Sequence, residues 1–483
     1  MMDSAMQGRT LLSAQWVIGH HDGRHVVHEN GVAVIEGTEV LHVGASFEGE
    51  VARRIDYGAA VISPGFIDLD ALSDLDTTIL GYDNGPAWKK GRVWPESYIE
   101  RGPYEMYDPE ELAFQKRHAF AQLIRNGITT ALPIASLFYR EWGETVAEFE
   151  AAAAAAEDLG LRVYLGPAYR TGGQVTDEAG NIRAVFDEAR GLEGLAAAAD
   201  FARRIDGIAG GRIRAMFAPD RIETCTKTLL QRTAGIATDM GAPVRQHCSQ
   251  SPIELQLVRE QHDCAPIEWL QRIGALRRNW LLPHGTQATE AEFDLIAGAG
   301  ATLVHCPLVA ARHGGMLKSF PKVRAKGINI GLGTDTHPAD MILNMQVGMM
   351  TARLAEGMEA IRSEDMFDAA TLGGADALNR PDLGRLAPGT KADIAVIDLR
   401  HSLQTPDPVQ TLMTAASGRD VRDVWIDGRQ VMADGVIPGI DETADAARAQ
   451  AQFDGLIAKY SDRTTGHPPV SEIFTPSYER AAP

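Results

Sequence analysis

Three short segments of this chain carry side chains that can do chemistry at neutral pH. GINIGLGTDTHPADM (327–341) delivers Asp335 at the end of an apolar, strand-like run, with His337 two residues on. PVRQHCSQS ends a second apolar run in His247, followed by Gln250, and WLLPHGTQ ends a third in His284. Two imidazoles and a carboxylate are a donor set that holds a zinc-like ion. Other polar residues stand at comparable run ends: Asp68, Asp70, Asp74 and Asp76 in PGFIDLDALSDLD, Arg170 in GPAYRTGG, Asp220 and Arg221, and His305 in LVHCP. Arg170 carries a permanent positive charge suited to a developing oxyanion. His305 is flanked by core residues and reads as a packed histidine. The acidic run also fits turn and helix-start chemistry.

These residues need elements that bring distant run ends together. Apolar β-type runs fall at 61–67, 128–135, 161–168, 213–219, 243–249, 280–285, 301–306 and 328–333. Helix-like stretches separate them at 109–126, 142–159, 194–205, 227–240, 252–273, 290–299 and 318–326. Eight strands alternating with helices predict an α/β fold, a (β/α)8 TIM-like barrel whose strand C-termini carry the site. A doubly wound open sheet is disfavoured because no glycine-rich phosphate loop follows an early strand. Both chain ends have a different texture, with short alternating strands and the turn dipeptides Asp22-Gly23 and Asp427-Gly428. The expected organisation is a composite β-sandwich from 1–62 and 386–440, a barrel over 63–385, and a C-terminal helix and tail over 441–483. That tail either packs across a subunit interface or stays mobile. The long loop from Ser73 to Glu105, with Trp88, Trp94, Tyr98 and Tyr104, is the expected lid; its aromatics suit a planar or apolar ligand.

Composition narrows the partners. The chain has 483 residues and a formal net charge of −19. Such a surface repels phosphate backbones and anionic lipid, so the expected partner is a small molecule, with no nucleic acid and no membrane. The four cysteines show no CxxC spacing and read as reduced cytosolic thiols. No signal peptide or membrane span is legible. The expected location is the cytoplasm, and the base-rate assembly is a homodimer.

The pieces PGFIDL, LLPHGTQ, LVHCP, GINIGLGTD, AATLGGADAL, LGRLAPGTKADIAVIDL and VWIDGRQV together resemble the amidohydrolase superfamily, in its chlorohydrolase and cytosine-deaminase-like branch. The similarity spans most of residues 10–435. It implies that His247 and Asp335 ligate a metal, and that His284 ligates it or touches its water. The departures are specific. The branch carries His-x-His after strand one, where this chain has Asp70 and Leu72. Leucine cannot ligate, whereas Asp70 can. The branch places a glutamate proton donor where Gln250 stands, and a glutamine cannot act as an acid. A Ser-Asn pair is replaced by Val309-Ala310.

The expected cofactor is therefore one divalent transition metal (zinc, cobalt, iron or manganese) held by His247, His284, Asp335 and Asp70. Asp335, His284 and Arg170 are the expected catalytic residues, and Gln250 and His337 the substrate-binding ones. The expected reaction is hydrolysis of an amide, carbamate, thiocarbamate or urea. This is similar to the molinate and phenylurea hydrolase corner of the superfamily. Two alternatives stay open: a metal-free hydrolase of lactones or activated esters, and a catalytically degenerate binding protein.

Overall fold

The computed structural model describes residues 8–81, 93–464 and 466–479. Both chain ends build one eight-stranded sheet. A long hairpin, Thr10–His21 against Arg24–Glu36, turns at Asp22 (φ 50°) and Gly23 (φ 78°). Positive φ at both central residues is what a two-residue turn demands of right-twisted strands. Asp427 and Gly428 do the same between Val421–Ile426 and Arg429–Met432. The two ends meet where Ile394–Asp398 runs antiparallel to Ala60–Pro64. At the far side Val40 N donates to Thr390 O at 2.8 Å, and Glu39 bridges Lys391, just ahead of Ile394–Asp398.

The expected strand at 61–67 is in fact two strands. Ala60–Pro64 belongs to the end sheet, and Phe66–Leu72 begins the parallel one. Gly65 is the corner: its N–H donates to Asp393 O, and a Cβ there would lie 2.2 Å from the Thr129 side chain. Phe66–Leu72, Ile128–Ile134, Arg162–Leu165 and Ile213–Ala215 form one parallel sheet. Val244–Arg245, Trp280–Pro283, Thr302–His305 and Asn329–Leu332 form another. Phe217 N donates to Pro243 O at 2.9 Å at one junction, and Asp335 N to Asp70 O at 2.8 Å at the other.

Helices start and stop where local chemistry says they should. Capping boxes open Pro109–Arg125 (Asp108, Glu111), Val146–Leu159 (Thr145, Glu148) and Glu290–Ala299 (Thr289, Glu292). Gly160, Gly241 and Gly300 end helices in the left-handed region. The single helix expected over 252–273 is broken into Pro252–His262 and Pro266–Arg272. Pro266 has no N–H for a continuing helix and forces Ala265 into an extended conformation.

The segment after Asp441 packs on its own chain. Leu456, Tyr460 and Ile473 are buried against Trp94, Tyr98, Met106 and Tyr139. Residues 480–483 and 82–92, with Trp88, lie outside the described residues.

A buried fork ties the parallel sheet to the end sheet. Arg162 donates to Asp393 at 2.9 and 3.1 Å and to Asp427 at 3.0 Å. Removing one partner of a buried pair strands the other charges, at a cost of about 3–5 kcal/mol. Arg162→Ala is expected to lower the urea-unfolding free energy by that amount, with Arg162→Lys intermediate. A loss below about 1 kcal/mol would show the fork to be dispensable.

Candidate functional site

Four strand ends converge. Asp70 lies within Phe66–Leu72, His247 two residues past Val244–Arg245, His284 directly after Trp280–Pro283, and Asp335 shortly after Asn329–Leu332. One ligand atom from each lies within 4.8 Å of the others, and all four residues are buried. His247 Nε2 is 3.5 Å from Asp70 Oδ2, and His284 Nε2 is 3.6 Å from Asp335 Oδ2. The imidazoles stack at 20°, centroids 5.2 Å apart. His284 Nε2 is buried with no hydrogen-bond partner. An orphaned nitrogen among two carboxylates and a second imidazole fits a divalent ion with nitrogen and oxygen donors.

The backbone is strained to make this meeting. His284 has φ 78° and Asp335 φ 47°. Non-glycine residues in this region cost about 1–3 kcal/mol each and concentrate at functional sites.

Sequence reasoning passed over Arg245. Its Nη1 donates to Asp70 Oδ1 at 2.8 Å, and the side chain is buried. The signal was available, because strand side chains alternate and Arg245 shares a face with His247. Burial raises the Asp70 carboxyl, but His247, then Arg245 and His284, hold it down at about 2. Asp335 goes the other way: burial, then the Asp70 and Asp76 carboxylates, push it well above the usual range. Burial and then His247 lower His284 to about 3, so it stays neutral and able to ligate.

A cavity of about 560 Å³ opens on this cluster, lined by His247, His284 and Asp335 together with Leu72, Asp74, Trp94, Phe138, Arg170, Arg221 and Gln250. Leu72 is thus an apolar wall. Gln250 Oε1 is buried without a partner, while its backbone N–H donates to Glu254 Oε2 at 2.7 Å. Glu254, also missed, is pushed up to about 8 by burial and then by Glu223. Trp94 is fixed by a small sheet that sequence reading did not foresee: Trp94–Pro95 pairs with Gly172–Thr176, which pairs with Ile182–Phe186.

The remaining sequence candidates separate cleanly. Asp68 is structural, accepting from Thr334 Oγ1 at 2.5 Å and Thr334 N at 3.0 Å. Asp74 accepts from Ser136 N, and Asp76 from Thr336 Oγ1 and His337 N. His305 packs on Phe320 away from the cavity, and burial alone lowers it to about 4. His337, expected to bind substrate, is not among the residues that line the cavity. The residue is exposed, and its backbone N–H donates to Asp76 Oδ2 at 2.6 Å.

The profile of the amidohydrolase family matches residues 61–431. A 5-methylthioadenosine/S-adenosylhomocysteine deaminase from Natronomonas pharaonis is 28% identical over 435 residues, covering 88% of this chain and 93% of the relative. A solved atrazine chlorohydrolase from Arthrobacter aurescens TC1, complexed with zinc, superposes with a TM-score of 0.75 at 20% identity, covering 92% of this chain and 100% of its own. An adenosine deaminase from Xanthomonas campestris with bound zinc gives 0.73 at 21% identity, covering 92% and 98%. Among the described residues no helix is long and apolar enough to cross a membrane.

Proposed function

This chain belongs to the amidohydrolase family, and from that premise we propose that it is a hydrolase that uses one divalent ion to cleave a non-peptide carbon–nitrogen bond in a small amide, carbamate, thiocarbamate or urea. The observation that carries this is the buried Asp70–His247–His284–Asp335 cluster with its orphaned nitrogen. The donor set admits zinc, cobalt, iron or manganese.

An ion bound there supplies Lewis-acid polarisation and lowers the pKa of a water toward neutrality. His247 and His284 would give it nitrogen lone pairs, and Asp70 and Asp335 would give it oxygens. With that positive charge beside it Asp335 would be ionised, and it would take a proton from the attacking water and pass it to the departing nitrogen. Gln250 offers a hydrogen bond to substrate from the cavity wall. It cannot deliver a proton as an acid, which favours a leaving group needing little protonation over ring deamination.

The barrel reading is supported by the hydrogen bonds at both junctions of the two parallel sheets. The composite sandwich over 1–62 and 386–440 is supported by the contact of Val40 and Glu39 with 390–391. The barrel then takes 63–385, and 441–483 forms the C-terminal helix and tail. Four free, buried cysteines accord with a reducing cytoplasm. A homodimer is supported by Met350 and Leu354, which lie one turn apart on Met341–Glu356 and are 53% and 85% exposed. A metal-free hydrolase of activated esters or lactones is the second reading. It is favoured by one contact, the Arg245–Asp70 ion pair, which already neutralises one carboxylate of the cluster.

The test is release of ammonia or amine from a panel of amides, carbamates, thiocarbamates and ureas, with Asp335→Asn as the blank. Turnover confined to lactones and esters would overturn the carbon–nitrogen reading.

A further inference from the structure

A buried guanidinium with two nitrogens unpartnered among the described residues stands in the wall of the same cavity. Arg170 directly follows the strand Ala168–Tyr169 and is 5% exposed. Its Nε and Nη2 are buried with no hydrogen-bond partner among the described residues. These two nitrogens lie on one edge of the guanidinium. They present parallel N–H groups at the spacing of the two oxygens of a carboxylate.

The plane of that fork is fixed in advance. Its central carbon lies 4.5 Å from the Trp94 ring centroid and 5.2 Å from that of Trp142. Trp142 Nε1 also donates to Arg170 O at 2.9 Å. A second cation, Arg463, is near enough to act on Arg170 electrostatically. Arg463 packs on Phe138 and Tyr139 at 5.4 and 4.6 Å, and all three of its guanidinium nitrogens are buried without a partner among the described residues. Burial lowers Arg170 to about 10, with Asp220 opposing and Arg463 and Arg221 reinforcing the shift, so the group is still charged at neutral pH. Buried guanidinium N–H groups without acceptors are costly for a fold to hold, and a ligand anion offsets that cost.

The fork also lies within a small molecule's reach of the metal-type cluster. Asp220 N donates to Tyr169 O, and His247 N donates to Asp220 O. Arg170 therefore stands two strands from His247, roughly 10 Å at the usual strand spacing.

We propose that Arg170 binds a carboxylate, and that the molecule hydrolysed is a carboxylic acid held by this group at one end of the cavity while its carbon–nitrogen bond sits at the Asp70–His247–His284–Asp335 end. N-acyl, N-carbamoyl and urea-bearing acids have this form. The second clause rests on the hydrolase reading; the carboxylate site does not.

The test reads binding rather than turnover. N-acetylphenylalanine, N-carbamoylphenylalanine and N-benzoylglycine are each titrated into the purified full chain, beside their primary amides, with tryptophan fluorescence or calorimetry as readout. At least one acid is expected to bind roughly tenfold or more tighter than its amide, as a charge-assisted pair predicts. Arg170→Gln is expected to abolish that preference, and Arg170→Lys, which keeps the charge but not the fork, to retain part of it. Binding of the acid to an ion at the histidine cluster would instead persist in Arg170→Gln and overturns the proposal. So does the absence of any acid that outbinds its amide. If Arg170→Gln does not fold, Arg170→Lys decides, and an undiminished preference there also overturns it. A preference that depends on Arg170, in a protein that turns over none of the carbon–nitrogen panel, removes the hydrolase reading and leaves the carboxylate site standing.

Discussion

Asp335→Asn is expected to lower kcat/KM on any carbon–nitrogen substrate by a factor of about 10³ or more. A positioned base alone contributes about 10²–10⁴, and this residue also presents an oxygen to the cluster. The fold should tolerate the change, and the sign follows from the site's electrostatics. Burial and the neighbouring Asp70 and Asp76 carboxylates disfavour charge on Asp335, so a neutral isostere removes a destabilising charge. The anchoring contact, Asp335 N to Asp70 O, is made by backbone atoms and is kept. The expected pattern is an inactive protein whose metal-stripped form has an unchanged or higher Tm than metal-stripped wild type. Activity within tenfold of wild type would remove Asp335 from the proton path.

Arg245→Met tests the cation that neutralises Asp70, which stands where a histidine was expected. Without Arg245 the Asp70 carboxylate, buried and paired at 2.8 Å, loses the guanidinium that neutralises it. The metal-stripped variant is expected to lose about 3–5 kcal/mol of stability. Added zinc should then stabilise the variant more than it stabilises the wild type, because a competing cation has gone and Asp70 is free to ligate. Saturation at about a hundred times Kd is worth about 2.7 kcal/mol for a site that exists only in the folded state. The measurement is urea unfolding of both proteins with and without zinc. An equal zinc increment in the two would show that Asp70 takes no part in binding the ion.

How much of this was legible in the sequence varies by residue. His247, His284 and Asp335 were legible because each ends an apolar run, and their convergence follows from parallel strands ending on one face. Asp70 was legible only through its offset from a resemblance, since four aspartates crowd the same segment. Arg245 was written in plain alternation with His247 and was passed over, because attention fell on strand ends rather than on inward positions one turn of the pleat below. The fork of Arg170 depends on Trp94, and Trp94 is set by a pairing between 94–95 and 172–176, which no local pattern encodes. The backbone at His337 is likewise held by a contact distant in sequence. Nearness to Asp335 along the chain says nothing of direction, and the partner of the His337 N–H, Asp76, is far away in sequence. Boundaries erred where one residue governs: Gly65 splits an apolar run into two strands of different sheets, and Pro266 splits a periodic stretch into two helices.

The central claim, that Asp70, His247, His284 and Asp335 hold one catalytic divalent ion, is tested most directly by elemental analysis of the purified protein beside a His247→Ala/Asp335→Ala double variant. The account predicts about one equivalent of a single transition metal per chain, lost in the variant. Protein that carries no metal after growth with added zinc, cobalt, manganese and iron would contradict it.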